Sequence, residues 1–181
     1  MTLKTLVTWD KTITGQMKAA APGKLPWKIG EFFAHSGDSW FWMAGLAVIW
    51  LFGRSSWPRT AAILMISIVV QAVFVLAIKF TIKRSRPPGE WGSIYRNTDP
   101  HSFPSGHATR AFMLAVMALG LGPLWFGLAV LIWAPLVSYA RVYVGVHYFS
   151  DILVGGLLGL LLGWLFLYVF PFLIPFFPYI F

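Results

Sequence analysis

The chain contains no cysteine. That excludes a disulfide, a thiolate metal site and a cysteine nucleophile. Charge is scarce: 11% of the 181 residues are Asp, Glu, Lys or Arg, where a soluble domain carries about 25%. Carboxylates are scarcer still, 6 against 14 Lys and Arg. They do not cluster in the sequence, so no Mg²⁺ or Ca²⁺ cage is written there. The first 28 residues lack the apolar core of about 7–15 residues and the small-residue cleavage site of a signal peptide.

Apolar residues fill the space instead. They make up 58% of the chain, and mean hydropathy is +0.72. Five apolar segments follow one another: Ser39–Gly53, Thr60–Lys83, Ala108–Leu121, Leu124–Tyr139 and Ile152–Phe170. A membrane crossing takes about 20 residues; the second and fifth segments reach this, and the first is short. Gly122-Pro123 separates the third from the fourth, which together are too long for one crossing and read as a tight hairpin. Ten Trp, among them Trp40, Trp57 and Trp125 near segment ends, fit interfacial belts. The expected fold is all-α: a polytopic transmembrane helix bundle of about five spans over residues 37–170. Residues 1–36 precede it as an amphipathic interfacial segment, with Leu3, Leu6, Val7, Ile13 and Met17 at near-helical spacing and Lys4, Lys11 and Lys18 between them. A Pro/Phe-rich interfacial tail, 171–181, follows; Pro171, Pro175 and Pro178 keep it from being a regular helix. Gly155, Gly159 and Gly163 form small-xxx-small pairs. They read as packing within the bundle, although a homo-oligomer is compatible with them.

The net charge of +8 reads as affinity for anionic head groups, not as nucleic-acid binding. Alternating crossings leave only Arg54 and Arg59 on one face and gather the other basic residues on the opposite one. The positive-inside rule leans that basic face slightly toward the cytoplasm, for an integral protein of the cell (inner) membrane.

The same face receives the loops 84–107 and 142–151. Lys79 and Arg86, seven positions apart, are expected on one helix face two turns apart, with Pro87 stopping the helix. Lys79 lies a full turn inside an apolar segment, where a charge marks function. Three cations, Lys79, Arg86 and Arg141, can surround a compact polyanion. Pro104-Ser105-Gly106 opens a helix, supplying a hydroxyl and free N–H groups at its positive end. His107 and His147 can divide the work, one attacking or accepting and the other donating a proton. Asp151, four residues after His147, can hold one imidazole in the right tautomer. Two His and an Asp could bind Zn²⁺, but three cations around them argue against a metal. Lys83, Arg84, Arg96 and Arg110 read as snorkelling or head-group contacts, and His35 and His101 as ordinary interfacial residues.

The stretches KFTIKRSRP (Lys79–Pro87), PSGH (Pro104–His107) and RVYVGVHYFSD (Arg141–Asp151) resemble the three signature motifs of the type 2 phosphatidic acid phosphatase (PAP2) superfamily. The spacings K-x6-R-P, P-S-G-H and R-x5-H-x3-D all hold. The resemblance implies a membrane phosphatase acting on a lipid phosphomonoester or diphosphate, without metal or cofactor. It implies His147 as a nucleophile forming a phosphohistidine, Asp151 as its orienting group and His107 as general acid and later base. Lys79, Arg86, Ser105, Gly106 and Arg141 would hold the phosphate. The substrates it suggests are phosphatidate, phosphatidylglycerol phosphate, isoprenyl (di)phosphate or a phosphorylated glycolipid, with the bilayer as partner and no nucleic acid. Two features depart from the pattern. Ala140 stands where the family usually has Ser, with Tyr143 a candidate replacement donor. The N-terminal amphipathic segment takes the place of a first span. Competing readings are a phosphotransferase using the same phosphohistidine, a non-enzymatic binder of anionic lipid, and the family's soluble haloperoxidase branch.

Overall fold

The structure, a computed structural model, describes residues 3–18, 23–88, 99–177 and 180. Among the described residues seven helices follow in order: α1 Leu3–Met17, α2 Leu25–Ser36, α3 Ser39–Phe52, α4 Trp57–Ile82, α5 Gly106–Leu121, α6 Leu124–Tyr143 and α7 Phe149–Leu173. A 3-10 turn, Ile174–Phe176, ends the last. No strand occurs among the described residues; one isolated antiparallel bridge joins Ser85 to His101.

The five apolar segments are the five helices α3 to α7. Three of them, α4, α6 and α7 with its 3-10 turn, are long and apolar enough to cross a membrane. The 14 residues of α3 and 16 of α5 reach about 21 and 24 Å at 1.5 Å per residue, short of a hydrocarbon core of about 30 Å. For α5 the shortfall matters little, because its middle faces protein. Ala108, Ala111, Met113, Leu114, Ala115, Met117 and Ala118 are all at most 1% exposed. The large apolar side chains of α3, α4, α6 and α7, such as Phe52, Val73, Ile132, Leu161 and Trp164, point outward, as lipid-facing residues must. The protein is an integral membrane protein.

The α5–α7 seam is made by glycine. A Cβ on Gly155 would meet the Ser105 carbonyl oxygen at 2.8 Å, one on Gly159 the Thr109 oxygen at 2.3 Å, and one on Gly163 Val116 at 2.7 Å. The small-xxx-small pairs therefore pack inside the bundle, as their spacing indicates.

Two expectations are corrected below. Residues 1–36 hold a helix over Leu3–Met17, where the near-helical spacing lies, and a second helix after it. The first, α1, leaves Leu6, Val7 and Trp9 exposed but buries Asp10 and Thr14 against the bundle; the second, α2, starts at Leu25-Pro26 and packs on α6. Pro171 does not end the last helix, which runs on to Leu173. A proline near a helix C-terminus forfeits one backbone bond, and the following residues still close the final turn. Finally, α4 ends at Ile82, before Pro87. Lys83 takes a left-handed conformation, φ 53°, and donates its N–H to the Lys79 carbonyl at 2.8 Å.

Candidate active site

The C-terminus of α4, both ends of the α6–α7 link and the N-terminus of α5 meet at one end of the bundle. The backbone ties them together. Ser105 N–H donates to the Asp151 carbonyl at 3.0 Å, and Ser102 N–H to the Arg84 carbonyl at 2.8 Å. Arg86 does not share a helix face with Lys79. It lies on the extended segment beyond the Lys83 turn, and the Ser85–His101 bridge swings it over the site.

His147 sits in the link between α6 and α7, 1% exposed. Its Nδ1 lies 3.4 Å from Asp151 Oδ2, which also accepts the Tyr148 N–H at 2.9 Å. A carboxylate facing Nδ1 places the proton there and leaves the lone pair on Nε2. Nε2 in turn faces Arg86 Nη1 at 3.4 Å. Burial pushes the imidazole pKa down to about 3 against the pull of Asp151, and Arg86 and Arg141 add to the drop. The ring is neutral, with a nitrogen free to attack.

Asp151 is itself held from behind. Arg84 Nη1 donates to Asp151 Oδ1 at 2.7 Å and Nη2 to Asp10 Oδ2 at 2.5 Å, and its guanidinium lies 4.1 Å from the centre of the Tyr148 ring. The first turn of α7 has backbone N–H groups without helical partners, and α1 fills them. Ser150 N–H donates to Asp10 Oδ1 at 2.9 Å, and Phe149 N–H to Thr14 Oγ1 at 3.0 Å. Arg84 is thus an internal bridge and not the head-group contact expected of it. Arg110 departs in the same way. It is 5% exposed, and its Nε and Nη2 donate to the Gly37 carbonyl, the first at 3.0 Å. Lys83 is exposed, as expected, and Arg96 lies outside the described residues.

Two further carboxylates enter the site. Asp38, at the corner between α2 and α3, accepts from His107 Nε2 at 2.6 Å and pairs with His35 Nδ1 at 3.1 Å. Asp99 bridges two of the expected phosphate-holding cations. Its Oδ2 takes Lys79 Nζ and, at 2.8 Å, Arg86 Nη2. Its carbonyl accepts from Arg86 Nε at 2.7 Å, and the His101 carbonyl accepts from Lys79 Nζ at 3.0 Å. The carboxylate stands where an anionic ligand would be held. Every carboxylate here is engaged by a cation or an imidazole. Among the described residues no group of three or more His, Cys, Asp or Glu is gathered for a metal ion.

A cavity of about 400 Å³ opens here between α3 and α4. Of the residues expected from the sequence, Lys79, Gly106, His107 and His147 line it. Arg86 touches it through His147, and Asp151 stands behind that ring. Ser105 is fully buried; its hydroxyl oxygen accepts the Ala108 N–H at 3.4 Å as the cap of α5, so it supports the wall. Arg141 is 1% exposed and donates to the Ala34 carbonyl at 3.3 Å. Ala140 packs in an apolar cluster with Trp27, Ala34, Val144 and Val146. Tyr143 stacks near Trp27 and Tyr139 and does not replace the missing hydroxyl. A larger cavity of about 790 Å³, on the other side of α3, is lined mainly by apolar side chains such as Phe32, Trp42, Ile49 and Trp133, with Glu31, His35 and Ser36 at its polar edge. Sequence reasoning missed Asp10, Asp38 and Asp99. Their signal was scarcity: four of the six acidic residues gather at this end of the molecule.

Comparison with known proteins places this arrangement. The model of the PAP2 superfamily matches residues 60–175. The chain belongs to the PAP2 superfamily. Within that superfamily it is 34% identical over 131 residues to an undecaprenyl-diphosphatase of Sulfolobus acidocaldarius, a stretch covering 70% of this chain and 62% of that protein. This chain thus matches less than two thirds of that relative's length. Two solved structures share the fold. The PAP2-type phosphatidylglycerolphosphate phosphatase of Bacillus subtilis matches with TM-score 0.72 at 24% identity, over 90% of this chain and 84% of that one. LpxE of Aquifex aeolicus matches with TM-score 0.67 at 24% identity, over 86% and 93%. The PAP2 segment begins within α4, so α1, α2 and α3, which bring Asp10 and Asp38, lie outside the matched residues.

Proposed function

We propose that the protein is a membrane phosphatase that removes a terminal phosphate from a lipid phosphomonoester or diphosphate through a phosphohistidine at His147 Nε2. The observation that carries this reading is the neutral His147, held by Asp151 at Nδ1 and presenting Nε2 to the cavity beside Arg86. Nε2 attacks phosphorus as the bond to the leaving oxygen breaks. His107, held at Nε2 by Asp38, supplies a proton to that oxygen. Lys79, Arg86 and Arg141 neutralise the oxygens of the transferring group, and the N-terminus of α5 adds its free N–H groups at Gly106. Water then attacks the phosphohistidine, giving its proton to His107 and returning His147 neutral. The three cations supply the positive charge a metal would otherwise bring, so the reaction runs without one.

A lipid substrate is supported by the place of the cavity, at the end of apolar helices and open between α3 and α4, where a tail can stay in the bilayer. The relatives named for undecaprenyl diphosphate and phosphatidylglycerol phosphate support the same class. The basic face leans the site toward the cytoplasmic side of the cell membrane; a reporter fused at the C-terminus, found in the cytoplasm, would reverse this orientation. The decisive assay is phosphate release from a panel of lipid phosphates in detergent with excess chelator. Release is expected, and His147→Ala abolishes it. An unchanged rate in that variant would overturn the mechanism.

A further inference from the structure

The cavity extends beyond the groups that the reaction uses. Gln71 lies on α4 two turns before Lys79, fully buried and on the cavity wall. Neither Nε2 nor Oε1 of its amide has a partner among the described residues. Arg110 lies one turn past His107 on α5 and lines the same wall. Its Nε and Nη2 are taken by the Gly37 carbonyl, and Nη1 has no partner among the described residues. The carboxylate that interacts with Arg110, Asp38, has its two oxygens engaged by His107 and His35.

An unpaired amide buried in a membrane protein is costly, and Arg110 brings a positive charge to the same cavity wall. Both lie on the apolar-core side of His107, whose proton goes to the leaving group. A ligand that pairs with the amide N–H of Gln71 and with the guanidinium carries an anionic, hydrogen-bond-accepting group on the lipid side of the bond that breaks. An isoprenyl phosphomonoester leaves as an alcohol on a hydrocarbon chain and offers nothing of that kind, and phosphatidylglycerol phosphate carries its second phosphate a whole glycerol further from the bond that breaks. A lipid diphosphate leaves as a lipid monophosphate, whose oxygens fall at this depth.

We propose that Gln71 and Arg110 form a subsite for the second, lipid-attached phosphate of a diphosphate substrate. The proposal rests on the phosphatase reading above and deepens it. The terminal phosphate goes to His147, the bridging oxygen stays with the lipid-attached phosphate, and the proton from His107 reaches that oxygen. Gln71 donates through its amide N–H and Arg110 through Nη1 to the phosphate that departs.

The test uses farnesyl diphosphate and farnesyl monophosphate, which share one tail, with the full-length protein in detergent. Wild type is expected to favour the diphosphate in kcat/KM. Gln71→Leu should lower kcat/KM for the diphosphate by about 10- to 100-fold, the loss expected when a hydrogen bond to a charged group is removed from a buried site. The monophosphate should change less than about 3-fold. The variant discards two unpaired buried atoms, so its melting temperature should hold or rise. Arg110→Lys, which keeps the charge, should lose less on the diphosphate than Gln71→Leu. An equal fall on both substrates, an unchanged ratio, or a lowered melting temperature with uniform loss would overturn the subsite while leaving the phosphatase reading intact. No release of phosphate from either substrate by wild type would overturn both.

Discussion

The site contains two histidine–aspartate pairs, and they are built differently. His147 and Asp151 come from one stretch of chain, four residues apart, and are 1% and 0% exposed. His107, on α5, and Asp38, at the α2–α3 corner, lie 69 residues apart in sequence, are 17% and 21% exposed, and share their carboxylate with His35. The first pair is sealed from solvent with its ring neutral, and the second is more open to the cavity. The difference suits the work proposed for each. An attacking nitrogen needs a fixed tautomer and a dry wall. A proton donor must reach the leaving oxygen and then water, so it cannot be walled in.

Breaking the sealed pair should cost most. His147→Ala removes the proposed nucleophile and is expected to lower kcat by about 10⁴-fold or more, and Asp151→Asn, which leaves the ring but frees its tautomer, by about 10³- to 10⁴-fold. Single-turnover trapping of phosphoenzyme should fail for the first variant. The open pair sharpens the contrast through the leaving group. Asp38→Asn should lose about 10²-fold on a lipid alcohol ester, where departure needs a proton, and recover most of that rate on an aryl phosphate with an acidic leaving group. Asp151→Asn should show no such recovery; if both variants recover alike, the division of labour proposed here is wrong.

Smaller effects probe what stands behind each pair. Asp10→Ala removes the α7 cap and one arm of the Arg84 bridge to Asp151. About 1–2 kcal/mol of stability should go, as for other helix caps, and kcat should fall about 3- to 10-fold while KM stays nearly constant. A KM effect alone would refute a positioning role for α1. Asp99→Asn withdraws the carboxylate lodged between Lys79 and Arg86, so vanadate, a phosphate mimic, should inhibit about 2- to 5-fold more tightly. Weaker inhibition would make Asp99 an organiser of the cations and not their competitor.

The pH response separates the pairs once more. Burial holds His147 at about 3, below its ordinary 6.5. The unfolded chain therefore takes a proton there that the folded protein refuses. The stability tied to His147 is fully present above about pH 6.5 and is lost as pH falls toward 3. A group that must hold a proton to donate it shows as a loss of kcat/KM with rising pH; that basic limb should survive Asp151→Asn and move to lower pH in Asp38→Asn, where the carboxylate that favours the imidazolium is gone.

What could be read from the sequence tracks the range of each interaction. His147 and Asp151 sit at helical spacing in one motif, and the glycines of α7 repeat every fourth residue, so both were legible locally. Lys79 and Arg86 were legible as chemistry, but the left-handed turn at Lys83 that redirects the chain carries no spacing signal. Asp10, Asp38 and Gln71 were illegible because nothing in their neighbourhoods marks them. Their meaning comes from partners many residues away, or, for Gln71, from having none among the described residues. Arg84 and Arg110 misled for the same reason: a basic residue beside an apolar helix looks alike whether it snorkels or turns inward.

The glycine seam has a consequence for how such a protein can change. Gly155 and Gly159 let the backbones of α5 and α7 touch, so the separation between the His107 and His147 ends of the site is gauged by main chain against main chain. The side chains facing the lipid take no part in that gauge. The outer surface can therefore be rewritten for a thicker, thinner or differently charged bilayer while the reacting groups keep their distance from one another.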